Sequence, residues 1–249
     1  VAPGNPAMTL LGVDPINIDD NDFTKLIDFA ETHQIDLTFV GPEVPLAAGI
    51  VDAFQAADQP IFGVTKKVAQ LEASKTFAKD FMARHQLPTA ASKTVHNAID
   101  AHAEAATMGL PLVLKKDGLA AGKGVVIAQD AETLDETIEK MYADHPDATV
   151  LLEQYLAGEE ASVMALFNGE KRVILPLSQD HKRRFANDRG PNTGGMGAIS
   201  PLPQFNDDQV AAAHQLVDAT LKGMQADGLD GQGVMYIGLI FTPDGPKIL

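Results

Sequence analysis

Residues 112–128 read LVLKKDGLAAGKGVVIA. One apolar run ends on Lys115, a second begins at Val125, and between them Lys123 stands flanked by Gly122 and Gly124. Small residues let backbone N–H groups close around an anion, and neighbouring lysines add positive charge, so the stretch suits phosphate. It is not a P-loop. Gly118 and Gly122 are separated by three residues, no Ser or Thr follows Lys123, and the β-branched run after it reads as a strand rather than a helix. The segment is therefore expected to be the tip of a β-hairpin that closes over a nucleotide. Taken alone, a glycine-rich surface turn with solvated lysines fits it equally well, and its neighbours have to decide.

At 249 residues and 45% hydrophobic content the chain can bury a good core in one or two domains. A net charge of −15 opposes non-specific binding to nucleic acid, so basic residues that cluster despite it carry information. Without cysteine there is no disulfide, thiolate ligand or thiol nucleophile. No apolar run approaches the roughly 18 residues of a membrane helix and no charged-then-apolar leader opens the sequence, so a cytoplasmic protein without membrane partners is expected. Nothing in the sequence signals an oligomeric state. Val1-Ala2-Pro3-Gly4 reads as the tail of a strand, and the hairpin around Thr242-Pro243-Asp244-Gly245 stops short in its second strand, so a fragment of a longer protein is expected.

The first seventy or so residues alternate. Strands are expected at Ile16–Ile18, Leu37–Val40 and Ile61–Phe62. Helices follow Asp20 or Asn21 and cover Leu46–Ala57. Such alternation argues a parallel, doubly wound layer, whose ligands sit beyond the carboxyl ends of its strands. Glu43, on the loop after Val40, is either a site residue or a partner of a helix dipole. SKTFAKDFMAR (74–84) reads as a helix capped by Ser74 with Phe77, Phe81 and Met82 inward. A region of antiparallel character follows, roughly 90–155, holding the lysine hairpin, a helix over Ala131–Tyr142 and a strand over Thr149–Glu153. Strands at Ser162–Phe167 and Val173–Leu177, a polar glycine-rich loop over 178–198, a helix over Asp207–Ala226 and the final hairpin complete the chain.

Two further stretches carry chemistry. In TVLLEQYLAGEEAS (149–162) a strand ends at Glu153 and a short connector leads to Glu159-Glu160. An extended connector offers free backbone groups to an adenine edge and a carboxylate beyond it can accept ribose hydroxyls, although a solvated acidic linker would look the same. In SQDHKRRFANDRGPNTGGMGAIS (178–200), His181, Lys182, Arg183 and Arg184 gather beside Asp180 and Asp188 ahead of a glycine-rich run. A polar loop this long in a compact domain usually binds something, and its glycines permit an anion nest.

KDGLAAGKG, EQYLAGEEAS, SQDHKR and GPNTGGMGA, in this order, together with GPEVPL (41–46) and LEASKTFAKDF, resemble the phosphoribosylamine–glycine ligase family of the ATP-grasp superfamily. The resemblance covers essentially the whole sequence. It implies a mixed α/β and α+β fold: a partial Rossmann-like domain over 1–73, then a two-subdomain ATP-grasp unit over 74–249, incomplete at its C-terminus, with a lid over about 90–155. It implies that Lys75 and Lys115 approach the phosphates of ATP beneath the loop of Gly118, Leu119, Ala120, Ala121, Gly122, Lys123 and Gly124. Glu153 would accept from the adenine amino group, Gln154 and Leu156 would meet the adenine edge through their backbones, and Glu160 would hold the ribose. Asp180, Lys182, Arg183, Asp188, Pro191, Asn192, Thr193, Gly194 and Gly195 would line the site for glycine and 5-phosphoribosylamine, with Pro42 and Glu43 on its far wall. Lys116 departs from the small residue usual in the family. The acid and amide that hold Mg²⁺ or Mn²⁺ are expected just after Leu249, so no metal ligand is assigned within this sequence and the isolated stretch is expected to be inactive. The activity implied is ATP-dependent joining of glycine to 5-phosphoribosylamine through glycyl phosphate, in purine biosynthesis, with no residue covalently modified. A nucleotide-binding piece without turnover, and an ATP-grasp ligase for another carboxylate, are the alternatives.

Overall fold

The computed structural model describes residues 1–119, 124–186 and 189–249, excluding the side chains of 191 and 192. Its amino-terminal layer comprises α1 (Pro6–Leu10), α2 (Phe23–Thr32), β1 (Thr38–Phe39), α3 (Glu43–Ala48), α4 (Ile50–Ala56), β2 (Ile61–Phe62) and α5 (Lys66–Ala73). β1 and β2 pair in parallel, as the alternation predicts. Ala30, Val40, Ile50, Val51, Phe54 and Ile61 form a core of their own. The strand expected at Ile16–Ile18 is absent. The Ile18 N–H turns back onto the carbonyl of Ile16, and that of Ile16 reaches Val1, so neither joins a ladder. The helix expected over Leu46–Ala57 starts earlier, at Glu43, and is broken at Gly49, whose φ of 102° only glycine adopts at little cost. Asp22, rather than Asp20 or Asn21, caps α2 by accepting from the Lys25 N–H.

Helix α6 (Lys75–Arg84) follows its Ser74 cap, which accepts from the Phe77 N–H. It leads into β3 (Ser92–Val95), α7 (Ala98–Met108), β4 (Leu112–Lys116), β5 (Val125–Ala128), α8 (Ala131–Tyr142) and β6 (Val150–Gln154). The strands form an antiparallel sheet in the order β3-β6-β4-β5. Its inner face packs Leu112, Leu114, Val150 and Leu152 against Ala101, Ala105, Leu134 and Ile138 of α7 and α8. β4 and β5 are the arms of the lysine hairpin, in register from Leu112↔Ala128 to Lys115↔Val125. α7 goes unread in the sequence, yet its Asn97 cap, alanine content and Gly109 stop are ordinary helix signals.

The remainder comprises β7 (Glu159–Asn168), β8 (Lys171–Ile174), β9 (Gln179–Asp180), β10 (Arg183–Phe185), β11 (Arg189–Asn192), β12 (Ala198–Ile199), α9 (Asp207–Ala226), β13 (Gln232–Thr242) and β14 (Gly245–Ile248). A second antiparallel sheet runs β14-β13-β7-β8 and buries one face against α6 and α9 in the largest core. β7 is longer than expected because β13 pairs with it from Gln232↔Asn168 to Phe241↔Glu159. β8 lies a little earlier than expected and stops before Pro176, which has no N–H for a ladder. The stretch 178–198 is not an open loop. β9 pairs with β12 and β10 with β11, so the polar segment folds back on itself as a ribbon.

A cation-lined cavity between two sheets

The two four-stranded sheets face one another across a cavity of about 840 Å³, walled also by α5, α6 and the loop after β1. Its electrostatic centre is Glu153 at the end of β6, whose side chain is only 4% exposed. Burying a lone carboxylate is costly, and here two ammonium groups offset the cost. Lys79 of α6 pairs with one carboxylate oxygen and Lys115 of β4 with the other. Lys79 is held further by Thr89 Oγ1 at 2.7 Å and the Ala90 carbonyl at 3.2 Å. Burial pushes the Lys79 ammonium below its ordinary pKa, and Glu153 only partly opposes this.

Beside this group the root of the hairpin is fastened to α6. Asp117 accepts from the backbone N–H of Lys75 at 2.6 Å and from the Ser74 hydroxyl at 3.2 Å, acting as a second cap supplied from another element. Lys75 Nζ donates to the Gly118 carbonyl at 2.8 Å. Burial lowers the Lys75 pKa, opposed by Asp117 and Glu72. The same surroundings raise that of Glu72, again chiefly through burial, with Lys75 opposing and Glu43 adding to the rise.

At the other end, β7 and the start of the ribbon bring Glu160, Asp180 and Lys182 into the cavity wall. Lys182 Nζ lies 3.5 Å from Asp180. Burial lowers its pKa, but Asp180, Tyr236 and Glu160 outweigh that and the net shift is upward. Ser162 donates to the Tyr236 hydroxyl at 3.0 Å on the same wall. Gly158, in the connector before β7, has no room for a side chain, since a Cβ would lie 2.3 Å from the Phe241 carbonyl oxygen.

The structure thus gathers Glu43, Lys75, Lys115, Gly118, Leu119 and Gly124 around one space, with Glu153, Glu160, Asp180 and Lys182. Gln154 ends β6 and Leu156 lies on the connector after it, both outside the lining. The Gln154 N–H is taken by the Ala91 carbonyl, so a ligand could meet only its carbonyl or side chain. Pro42 precedes α3 and is exposed. Arg183 is turned to the Gly190 carbonyl, and Thr193 bonds the Lys182 carbonyl through both its N–H and its hydroxyl. Pro191 and Asn192 form a strand of the ribbon, and Gly194 and Gly195 lie exposed at its bend. Among the described residues, Arg183, Thr193, Gly194 and Gly195 stand outside the cavity lining. Ala120, Ala121, Gly122, Lys123 and Asp188 lie outside the described residues. Lys79, Glu72 and Asp117 escape the sequence reading. A lysine at an inward position of the amphipathic helix 74–84 is the signal that would have found Lys79.

Two antiparallel sheets closing on a cavity, one carrying a lysine hairpin and the other a carboxylate past a short connector, define an ATP-grasp fold. Residues 73–249 match the family model described as phosphoribosylglycinamide synthetase, ATP-grasp (A) domain, and residues 1–72 match the N domain of the same family. The chain belongs to the phosphoribosylglycinamide synthetase family. It is 46% identical over 254 aligned positions to a phosphoribosylamine–glycine ligase of Streptococcus pyogenes, covering 100% of this chain and 60% of that protein. The crystal structure of phosphoribosylamine–glycine ligase from Thermotoga maritima superposes with a TM-score of 0.80 at 31% identity, over 99% of this chain and 60% of that one. An N5-carboxyaminoimidazole ribonucleotide synthetase in its ADP complex shares the fold at 17% identity and a TM-score of 0.76, over 99% of this chain and 61% of that one. The chain therefore spans about 60% of the length of the curated relatives it matches.

Proposed function

We propose that this chain provides the nucleotide- and substrate-binding part of an enzyme that joins glycine to 5-phosphoribosylamine at the expense of ATP. The observation that carries the reading is the convergence of Lys75, Lys115, the hairpin root and Glu153 on one cavity between two sheets. A glycine carboxylate oxygen attacks the γ-phosphorus, the bond to the β-phosphate oxygen breaks, and ADP departs. The amine of 5-phosphoribosylamine then attacks the acyl carbon of glycyl phosphate, phosphate leaves, and the new amide nitrogen gives up a proton. Lys75 and Lys115 supply positive charge where the transferring phosphoryl group gathers negative charge. In this reading Glu153 receives the adenine amino group and Glu160 the ribose. Asp180 and Lys182 present opposite charges to the zwitterionic amino acid or the ribosyl phosphate.

The division into units 1–73 and 74–249 with a lid over about 90–155 belongs to the same proposal, as does a cytoplasmic site of action. Among the described residues, no group of three or more His, Cys, Asp or Glu could hold a metal ion, and no helix is long and apolar enough to cross a membrane. Asp244 sits in the turn after β13, its own N–H on Thr242 Oγ1. The residues described do not fit the expected Mg²⁺ or Mn²⁺, and no step is assigned to it. The same observation favours a second reading, in which this stretch binds nucleotide without turning it over. ADP release measured with ATP, glycine and 5-phosphoribosylamine, each omitted in turn, separates the two. Release that needs all three carries the ligase reading. Bound ATP without release leaves the second reading, and absence of nucleotide binding overturns both.

A further inference from the structure

Most polar groups around the cavity hold one another. Near Glu153, Lys79 is bonded to that carboxylate and to Thr89 Oγ1, and Thr89 donates onward to the Ile248 carbonyl at 2.7 Å. On the long sheet, Ser162 and Tyr236 are arranged differently. Ser162 is buried, and its backbone N–H and carbonyl are both taken by Ser178, so its hydroxyl is left to serve a side chain. That hydroxyl donates to the Tyr236 hydroxyl oxygen at 3.0 Å. Tyr236 stands opposite Met164 in the β7–β13 register, is half-exposed and lines the cavity. A phenol that accepts from Ser162 keeps its own proton to donate, and among the described residues no acceptor takes it.

The charges around this phenol select its ligand. Glu160, Asp180 and Lys182 share the wall with it, and Lys182 Nζ lies 3.5 Å from Asp180. Burial opposes the Lys182 charge, and Tyr236 is near enough to join Asp180 and Glu160 in outweighing that. One ammonium beside two carboxylates is a poor field for a phosphate dianion. It fits a small zwitterion, whose ammonium meets Asp180 and whose carboxylate meets Lys182. We infer that Tyr236, oriented by Ser162, is the hydrogen-bond donor that joins Lys182 in seating the carboxylate of the amino-acid substrate, the group that is to be phosphorylated. The inference rests on the ligase reading above. Tyr236 touches the substrate, and Ser162 is a positioning residue that acts through it. A hydroxyl whose oxygen already accepts a hydrogen bond donates more strongly and has fewer directions open to it, so the carboxylate is met by a group already in place. Gly238 keeps the space beside the phenol clear. A Cβ there would already lie 3.9 Å from the phenol oxygen, and a longer side chain would crowd it.

The test titrates glycine, glycinamide and inorganic phosphate, each with ADP saturating, into this chain, Tyr236→Phe and Ser162→Ala. ADP is titrated alone as well, and melting temperatures are recorded alongside. The unaltered chain is expected to bind glycine more tightly than glycinamide, which has no carboxylate. Tyr236→Phe keeps the ring and should weaken glycine by roughly tenfold or more, the worth of a hydrogen bond to a charged group. It should weaken glycinamide less and leave ADP binding as it was, a split that a merely structural tyrosine would not produce. Ser162→Ala keeps the phenol but frees it to turn, and should weaken glycine in the same sense by less. If Tyr236→Phe does not fold, Ser162→Ala is judged by the same narrowing between glycine and glycinamide. A chain that binds ADP but no glycine would overturn this inference and leave the nucleotide reading standing, whereas one that binds neither would overturn the functional reading itself. Glycine affinity unmoved by Tyr236→Phe, an equal loss for glycine and glycinamide, or a loss for phosphate instead would overturn the inference alone. Full glycine affinity in Ser162→Ala would overturn the part given to Ser162.

Discussion

Glu72 lines the cavity at the end of α5, partly buried beside Lys75, and its carboxyl is held above the usual range chiefly by burial. A carboxyl whose folded pKa lies above its unfolded value binds its proton more tightly when folded. Stability is then highest below the unfolded value of 4.5 and falls as pH rises towards the folded one, leaving a standing cost at neutral pH. Glu72→Gln is therefore expected to raise the melting temperature at pH 7 and to leave it nearly unchanged at pH 4, which paired melts would check. An unfavourable group kept in a cavity wall points to use, because stability is commonly given up at sites that bind. Such residues are hard to read in advance. The sequence around Glu72 shows one acid between Leu71 and Ala73 on a short helix, and only the fold shows that it lines a cavity. Lys115 and Glu153 were legible because each terminates an apolar strand, where a charge has a reason to be. For Arg183 the contrast with an acidic chain marks its cluster but not which member lines the cavity, and its guanidinium is turned to the Gly190 carbonyl.

At the level of elements, the helices read from the sequence were ones with a side-chain cap at the start and an apolar stripe behind it. α6, α8 and α9 carry side-chain caps at their starts, and α9 has a full capping box between Asn206 and Gln209. The ribbon over 179–199 and the full length of β7 were not legible, because strand partners that no local pattern records decide them: β9 pairs with β12 across the polar stretch, and β7 with the distant β13. The connector 155–158 shows the physical demand most clearly. Gly158→Ala would drive a methyl group onto the Phe241 carbonyl, and the overpacking is expected to cost about 1–3 kcal/mol. Urea unfolding should show the midpoint lowered with an unchanged slope. Asp117→Ala removes the cap that one element lends another, at a cost of about 1 kcal/mol. Amide exchange should then quicken in the first turn of α6 and at the base of the hairpin together. Faster exchange in only one of the two would show that they are not coupled through Asp117.

Over the whole molecule, the cavity draws its wall from the amino-terminal layer, the hairpin sheet and the long sheet at once. A nucleotide seated there would bridge three cores that are otherwise separate clusters. Saturating ADP is therefore expected to stabilise the chain as one unit, by about 2.7 kcal/mol at a hundredfold excess over Kd. Calorimetry should show transitions that merge or rise together on adding ADP. A rise confined to one transition would place the ligand within a single core. The bond from Thr89 to Ile248 has a consequence for the order in which the protein can be made. A ribosome delivers the amino end first, so the hairpin sheet, which ends at Gln154, and its two helices are complete well before β13 begins at Gln232. Until then Lys79 lacks the fixed scaffold that Ile248 gives to Thr89, and the long sheet has no β13 to pair with β7. Nascent chains arrested before residue 232 should already protect the hairpin sheet from protease while failing to hold nucleotide, and gain that capacity only when the last strands are released.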